Sequence, residues 1–62
     1  MDETYDIFKK VSDKYVVWVE AVPAESVKRR LLHYKAIDSA TTYMVFNTKE
    51  LRFIDIWNES AA

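Results

Sequence analysis

His33 is the only histidine in the chain and the only plausible general base. Catalysis also needs a nucleophile or an acid beside such a base, and no recognisable motif places Ser26 or Ser39 there. The sequence has no cysteine, and one histidine alone does not make a zinc site. We therefore expect a non-enzymatic protein without catalytic residues, cofactor, metal or small-molecule substrate, and we interpret His33 as a solvated helix side chain.

His33 belongs to a cluster of basic residues on the predicted helix. Its members are Lys28, Arg29, Arg30, His33 and Lys35. Positive charge next to aromatic rings on a sheet is typical of nucleic-acid binding, in which bases stack on the rings. Here the exposed rings are expected on the sheet face opposite the helix, and the net charge of −1 is not that of a dedicated nucleic-acid binder. Nucleic-acid binding through Lys28, Arg29, Arg30 and His33 is therefore kept as the alternative hypothesis.

The central elements of the chain are a strand and a helix that follows it directly. Residues 14–22 (KYVVWVEAV) are mostly β-branched or aromatic, which favours a strand. Pro23 lacks an N–H and is tolerated in the first turn of a helix, so it marks the change. A stripe at spacings of three and four then predicts a helix over residues 23–37. The stripe comprises Ala24, Val27, Leu31 and Tyr34.

A first hairpin precedes that helix, with residues 4–11 as its first strand. A three-residue turn at 12–14 pairs Val11 with Tyr15 and separates the two sheet faces best. The face expected under the helix carries Tyr5, Ile7, Val11, Tyr15, Val17, Val19 and Ala21, interrupted by Lys9. The opposite face is expected to carry Asp6, Phe8, Lys10, Val16, Trp18, Glu20 and Val22, with Phe8 across from Trp18. Of these residues, Ile7, Val17 and Val19 should be buried together with Val27 and Leu31.

Residues 41–47 and 51–57 predict a third and a fourth strand. The fold class is therefore α+β, a ββαββ chain whose four-stranded antiparallel sheet carries one helix on one face. The right-handed crossover rule gives the spatial order 2-1-3-4. Asn47 and Glu50 also resemble a capping box, so the alternative is ββαβ with a C-terminal helix over residues 48–60. The chain has no glycine, and turns with positive φ are expected to use Asp, Asn, Ser or Lys.

The sheet face opposite the helix is predicted to be an apolar interaction surface. In the even register of the second hairpin it comprises Phe8, Val16, Trp18, Tyr43, Val45, Ile54 and Ile56, while Met44, Phe46, Leu51 and Phe53 face the helix. In the odd register Val45, Leu51 and Phe53 still lie outside. One helix covers only one side of a sheet, and a large exposed apolar patch is unusual on a soluble monomer. The pattern predicts a homodimer or another protein as the partner.

Length and composition fit such a role. The 62 residues make a single small domain whose stability is marginal without help, and 50% of the residues are hydrophobic and 15% aromatic. The acidic N-terminus is unlike a signal peptide, and no apolar run reaches the ~18 residues of a membrane span. We expect a cytoplasmic protein without membrane contact.

Three segments also carry a resemblance: WVEAV at 18–22, KRRL at 28–31 and YMVFN at 43–47. With them the chain resembles a group of short, uncharacterised bacterial proteins that combine Trp-Val-Glu-Ala-Val, a basic helix and a Tyr-x-x-Phe-Asp/Asn strand end. It departs from them in having Pro23 where their helix usually begins with Asp, and in lacking the Gly that precedes their Tyr. The resemblance implies the fold and no function.

Overall fold

One four-stranded antiparallel sheet with one α-helix makes up the fold in the computed structural model, which describes residues 3–56. In chain order the elements are β1 (Thr4–Lys10), β2 (Val16–Pro23), a 3₁₀ turn (Ala24–Ser26), α1 (Val27–Ile37), β3 (Tyr43–Asn47) and β4 (Arg52–Ile54). The strands lie in the order β2-β1-β3-β4, and every neighbouring pair is antiparallel. The predicted ββαββ class and strand order are both confirmed.

The chain enters α1 through an irregular turn. Pro23 has extended backbone angles and ends β2 instead of opening the helix, and the 3₁₀ turn after it leads into α1. The amide of Ala24 donates to the carbonyl of Glu3 at 2.9 Å, which ties this corner to the start of β1. The Ser26 side chain makes no capping hydrogen bond. Packing of Val27 and Leu31 on the sheet, more than capping, therefore holds the helix in place.

A short turn between β3 and β4 explains why a C-terminal helix was a competing prediction. Oδ1 of Asn47 accepts hydrogen bonds from the amides of Lys49 and Glu50 at 2.9 and 3.0 Å, as it would at a helix N-terminus. Leu51 then adopts φ 58°, and the chain turns back into β4. The helix predicted over residues 48–60 is thus wrong for residues 48–54, which form the turn and β4. The strand predicted over residues 51–57 is shorter than expected, since it ends at Ile54 and Ile56 is already helical, and residues 57–60 lie outside the described part. Within residues 3–56 the positive φ is taken by Leu51 and not by one of the expected polar residues.

The first hairpin has the predicted three-residue turn, but a β-bulge interrupts its register. Phe8 lies opposite Trp18, as expected from the turn, whereas Ile7 lies opposite Glu20, so Val19 is the extra residue on β2. The bulge reverses the side chains that follow it. Glu20 and Val22 face the helix, and the predicted places of Glu20, Ala21 and Val22 were therefore wrong.

The core lies between the sheet and α1. It consists of the buried residues Ile7, Val22, Val27, Leu31 and Val45. Val19 packs against this cluster as expected, but Val17 remains 41% exposed, so its predicted burial is wrong. The helix contacts β3 through Tyr34, which stacks on Tyr43, whereas Val17 near the beginning of β2 stays exposed.

Candidate functional site

The candidate site is the sheet face turned away from α1, which we call the outer face. Side chains alternate along each strand, so the cross-strand partners of Phe8 lie on the same face as Phe8. These partners are Trp18 on β2 and Met44 on β3. By the same pairing Phe46 on β3 lies opposite Phe53 on β4. The large apolar residues that the strands place on the outer face are Phe8, Val16, Trp18, Met44, Phe46 and Phe53.

The second hairpin turns towards α1 the face that was predicted to lie outside. Val45 pairs with Ile54, so the even register is the one that the structure adopts. However, Val45 also pairs with Ile7, whose side chain is fully buried under α1. The residues assigned to the interaction surface on this hairpin therefore contact the core, and that assignment was wrong. They are Tyr43, Val45, Ile54 and Ile56. Their places on the outer face are taken by Met44, Phe46 and Phe53.

Three phenylalanine rings form the centre of the outer face. The centroids of Phe8 and Phe53 are 5.7 Å apart, those of Phe46 and Phe53 5.1 Å, and those of Phe8 and Phe46 6.4 Å. All three pairs are edge to face, with interplanar angles of 70 to 80°. Such contacts hold each ring in a defined orientation. The triad joins β1, β3 and β4 into one apolar surface, and Phe53 remains 44% exposed.

Trp18 extends this surface across β2. Its side chain is 58% exposed, and its indole Nε1 donates to Oδ1 of Asp6 at 3.3 Å. The hydrogen bond favours one orientation of the exposed ring, which reduces the rotamer freedom that is lost when a partner covers it. Phe8, Val16 and Trp18 thus lie on the outer face as predicted.

The basic cluster lies elsewhere. Arg29, Arg30 and His33 line a groove of about 570 Å³ between α1 and the edge strand β2. Arg30 Nε lies 3.0 Å from Oε2 of Glu20, so part of the positive charge is neutralised inside the molecule. Lys28 is exposed on the same helix. The outer-face rings point to the other side of the sheet, so the cations and the aromatic surface do not converge.

Glu20 links β2 to α1 because of the bulge. Besides its ion pair with Arg30, its Oε2 accepts a hydrogen bond from the hydroxyl of Tyr34. The ring of Tyr34 stacks on Tyr43 with centroids 4.7 Å apart. Burial raises the pKa of the Tyr34 hydroxyl to about 12, and the hydrogen bond to Glu20 and the charge of that carboxylate act in the same direction. This arrangement stabilises the protonated phenol and is structural in character.

Neither a metal centre nor a membrane span is found in the described part of the chain. Within residues 3–56 no three acidic, histidine or cysteine side chains are grouped so as to hold a metal ion. Over the same residues, no helix has the length and apolar character needed to cross a membrane.

Compared with protein-family models, curated proteins and solved structures, the chain has no match. The resemblance to the short bacterial proteins consequently stays a prediction.

In the prediction from the sequence, the even register placed Met44, Phe46 and Phe53 under the helix, and only the odd register left Phe53 outside. A signal for them exists in the composition, since the chain has three phenylalanines in all and every one of them lies in the ring triad. Aromatic residues on strands favour cross-strand pairing with each other. Grouping Phe46 and Phe53 with Phe8 would have given the correct side.

Proposed function

We propose that this protein is a small, non-enzymatic, cytoplasmic interaction module that self-associates through the outer face of its sheet to form a homodimer. The observation that carries the proposal is the triad of Phe8, Phe46 and Phe53, which is built on the face that α1 does not cover. Trp18 extends the same surface and is held in orientation by Asp6. An ordered, uncovered group of rings is what the centre of an interface requires.

A second copy of the chain is favoured as the partner because the fold has one helix for two sheet faces. Packing two outer faces together would place each sheet between its own helix and the partner's sheet, as in other layered domains. A two-fold dimer achieves this with one surface, since the same patch serves both protomers. It would also supply burial that a chain of 62 residues lacks by itself.

The size of the face sets the expected affinity. Four strands about 4.8 Å apart, with about five residues each at ~3.3 Å per residue, make a surface of roughly 20 by 17 Å. Covering it on both protomers buries roughly 700 Å² in total, which is below the range of stable complexes and typical of a weak, transient one. We therefore expect a reversible dimer with a Kd on the order of micromolar to tens of micromolar.

A matched pair of variants tests the proposal. Trp18 and Leu32 are both 58% exposed, but Trp18 lies on the outer face and Leu32 on the helix. Trp18→Glu places a charge in the proposed interface and should give a folded monomer of 7.3 kDa, whereas Leu32→Glu should remain dimeric. Mass is measured by light scattering at roughly 10 to 500 µM, a range that spans the expected Kd. Circular dichroism shows whether each variant is folded.

Two outcomes would count against the homodimer. If the unmutated chain is a folded monomer over the whole concentration range, the outer face serves a different protein. If both glutamate variants stay dimeric, association uses another surface. A titration of the same samples with labelled single- and double-stranded oligonucleotides at low salt tests the alternative, which requires Lys28, Arg29 and Arg30 and predicts affinity that falls steeply with salt.

A further inference from the structure

We infer that the two sheets of the homodimer pack with their β1 strands antiparallel, so that Asp6 of each protomer faces Lys10 of the other. The inference rests on the proposed function, because it specifies how the second copy is seated on the outer face. It is supported by a pair of opposite charges on β1, on either side of Phe8 of the aromatic triad. Asp6 and Lys10 lie on the same face of β1 as Phe8, two residues before it and two residues after it.

The positions of these two charges are defined by their neighbours. Asp6 lies opposite Phe46 on β3, and its Oδ1 accepts the indole N–H of Trp18 at 3.3 Å. Lys10 lies opposite Val16, and its side chain is 45% exposed. Its Nζ is 3.9 Å from the fully exposed carboxylate of Asp13, so this ion pair is long and open to solvent. Lys10 can therefore exchange that contact for a closer one across an interface at little cost.

The choice between two seatings follows from the symmetry. A two-fold axis that runs across the strands, close to Phe8, keeps β1 over the partner's β1 and reverses its direction. Each Asp6 is then paired with a Lys10 of the other protomer, once on each side of Phe8. Packed sheets lie ~10 Å apart, a gap that a carboxylate and the long lysine side chain can span together.

An axis that runs along the strands gives a less favourable result. If it passes through β1, Asp6 meets the partner's Asp6 and Lys10 meets the partner's Lys10, so both contacts are repulsive. If it passes between β1 and β3, Asp6 is placed over the partner's Phe46 and loses water without gaining a cation. Only the antiparallel seating covers the triad and pairs both charges, and charge complementarity of this kind sets orientation more than it sets total affinity.

Charge reversal tests this seating. Asp6→Lys leaves only positive charges at these positions, and Lys10→Asp only negative ones, so each single variant should dimerise about tenfold or more weakly than the unmutated chain. The double variant with both substitutions restores opposite charges across the interface and should recover most of the affinity. The double variant also lacks the Asp6 acceptor for Trp18, so its recovery separates the effect of charge from the loss of that hydrogen bond.

The outcomes separate this inference from the proposed function. Dissociation constants are measured by sedimentation equilibrium at low salt and again at high salt, where the deficit of the single variants should shrink. The outer-face dimer stands if the unmutated chain dimerises and Trp18→Glu abolishes the dimer. If, in that case, the single charge variants dimerise as tightly as the unmutated chain or more tightly, the antiparallel seating is wrong. If the unmutated chain is monomeric, the proposed function fails first. Circular dichroism of the single variants and recovery in the double variant exclude misfolding as the cause of weaker association.

Discussion

Raising the pH from 10 to 12 should destabilise the folded chain through one residue, Tyr34. In the unfolded chain a tyrosine has a pKa near 10, whereas in the folded protein burial and Glu20 raise the pKa of Tyr34 to about 12. A group whose pKa is raised on folding contributes stability that is complete below the unfolded pKa and is lost as the pH rises through the folded one. The loss should therefore fall within this window.

The magnitude follows from the size of the shift. Each pKa unit corresponds to about 1.4 kcal/mol, so a shift from 10.0 to about 12 sets an upper limit of roughly 2.7 kcal/mol. Tyr34 is partly accessible to solvent, which screens the charge of Glu20. We therefore expect about 1 to 2 kcal/mol.

The assay compares the unmutated chain with Tyr34→Phe by urea denaturation at several values of pH. All other side chains are the same in the two proteins, so the difference between their free energies of unfolding isolates Tyr34. That difference should decline by about 1 to 2 kcal/mol between pH 10 and 12. In an absorbance titration of tyrosinate, the ionisation of Tyr34 near pH 12 should be present in the unmutated chain and missing from the variant. Glu20→Gln should lower the pKa of Tyr34, since the charge is removed while burial remains. A free-energy difference that is constant over the whole range would refute the reasoning.

Three further predictions concern stability and are measured by urea denaturation. Leu31→Ala should lower the free energy of unfolding by about 2 to 5 kcal/mol because Leu31 is buried in the core. Leu32→Ala, at an exposed site on the same helix, should lower it by less than about 0.5 kcal/mol. Equal losses would mean that the helix presents another face to the sheet. Asn47→Ala should lower the free energy of unfolding by about 1 to 2 kcal/mol because two backbone amides lose their acceptor, and Asn47→Asp should retain most of that stability. An Asn47→Ala variant as stable as the unmutated chain would contradict the role of Asn47 in the turn. Leu51→Gly should stabilise the protein by about 0.5 to 1 kcal/mol relative to Leu51→Ala, because φ is 58° there, and a less stable glycine variant would show that the position is unstrained.

The topology of this protein follows from its sequence to a large extent. The apolar alternation of the first hairpin fixed a three-residue turn, since any slip by one residue mixes the two faces, and Phe8 does lie opposite Trp18. The stripe with Val27 and Leu31 identified the helix face, because burial of those side chains is what stabilises the helix. With the right-handed crossover, these two elements determine the strand order.

Two features could not be derived in the same way. The bulge adds one residue to β2 without any glycine or change of composition, because Val19 and Glu20 suit either register. The bulge is nevertheless what brings Glu20 to Arg30 and Tyr34.

Which face of the second hairpin lies against α1 depends on the conformation of the connection from α1 to β3. One residue more or less there exchanges the two faces, and both sets of side chains are apolar. The pattern of β3 and β4 alone is therefore equally compatible with either side, and the sides are told apart by contacts with β1, such as the pairing of Val45 with Ile7.

Intermolecular NOEs give the most direct test of self-association through the outer face. Isotope-labelled and unlabelled chains are mixed in equal amounts at a concentration at which the mass is that of a dimer, and isotope-filtered spectra record only contacts between protomers. The outer-face dimer predicts NOEs between protomers from the ring protons of Phe8, Phe46 and Phe53. A sample of dimer mass that shows no such contacts from these rings, or shows contacts from α1 instead, would contradict it.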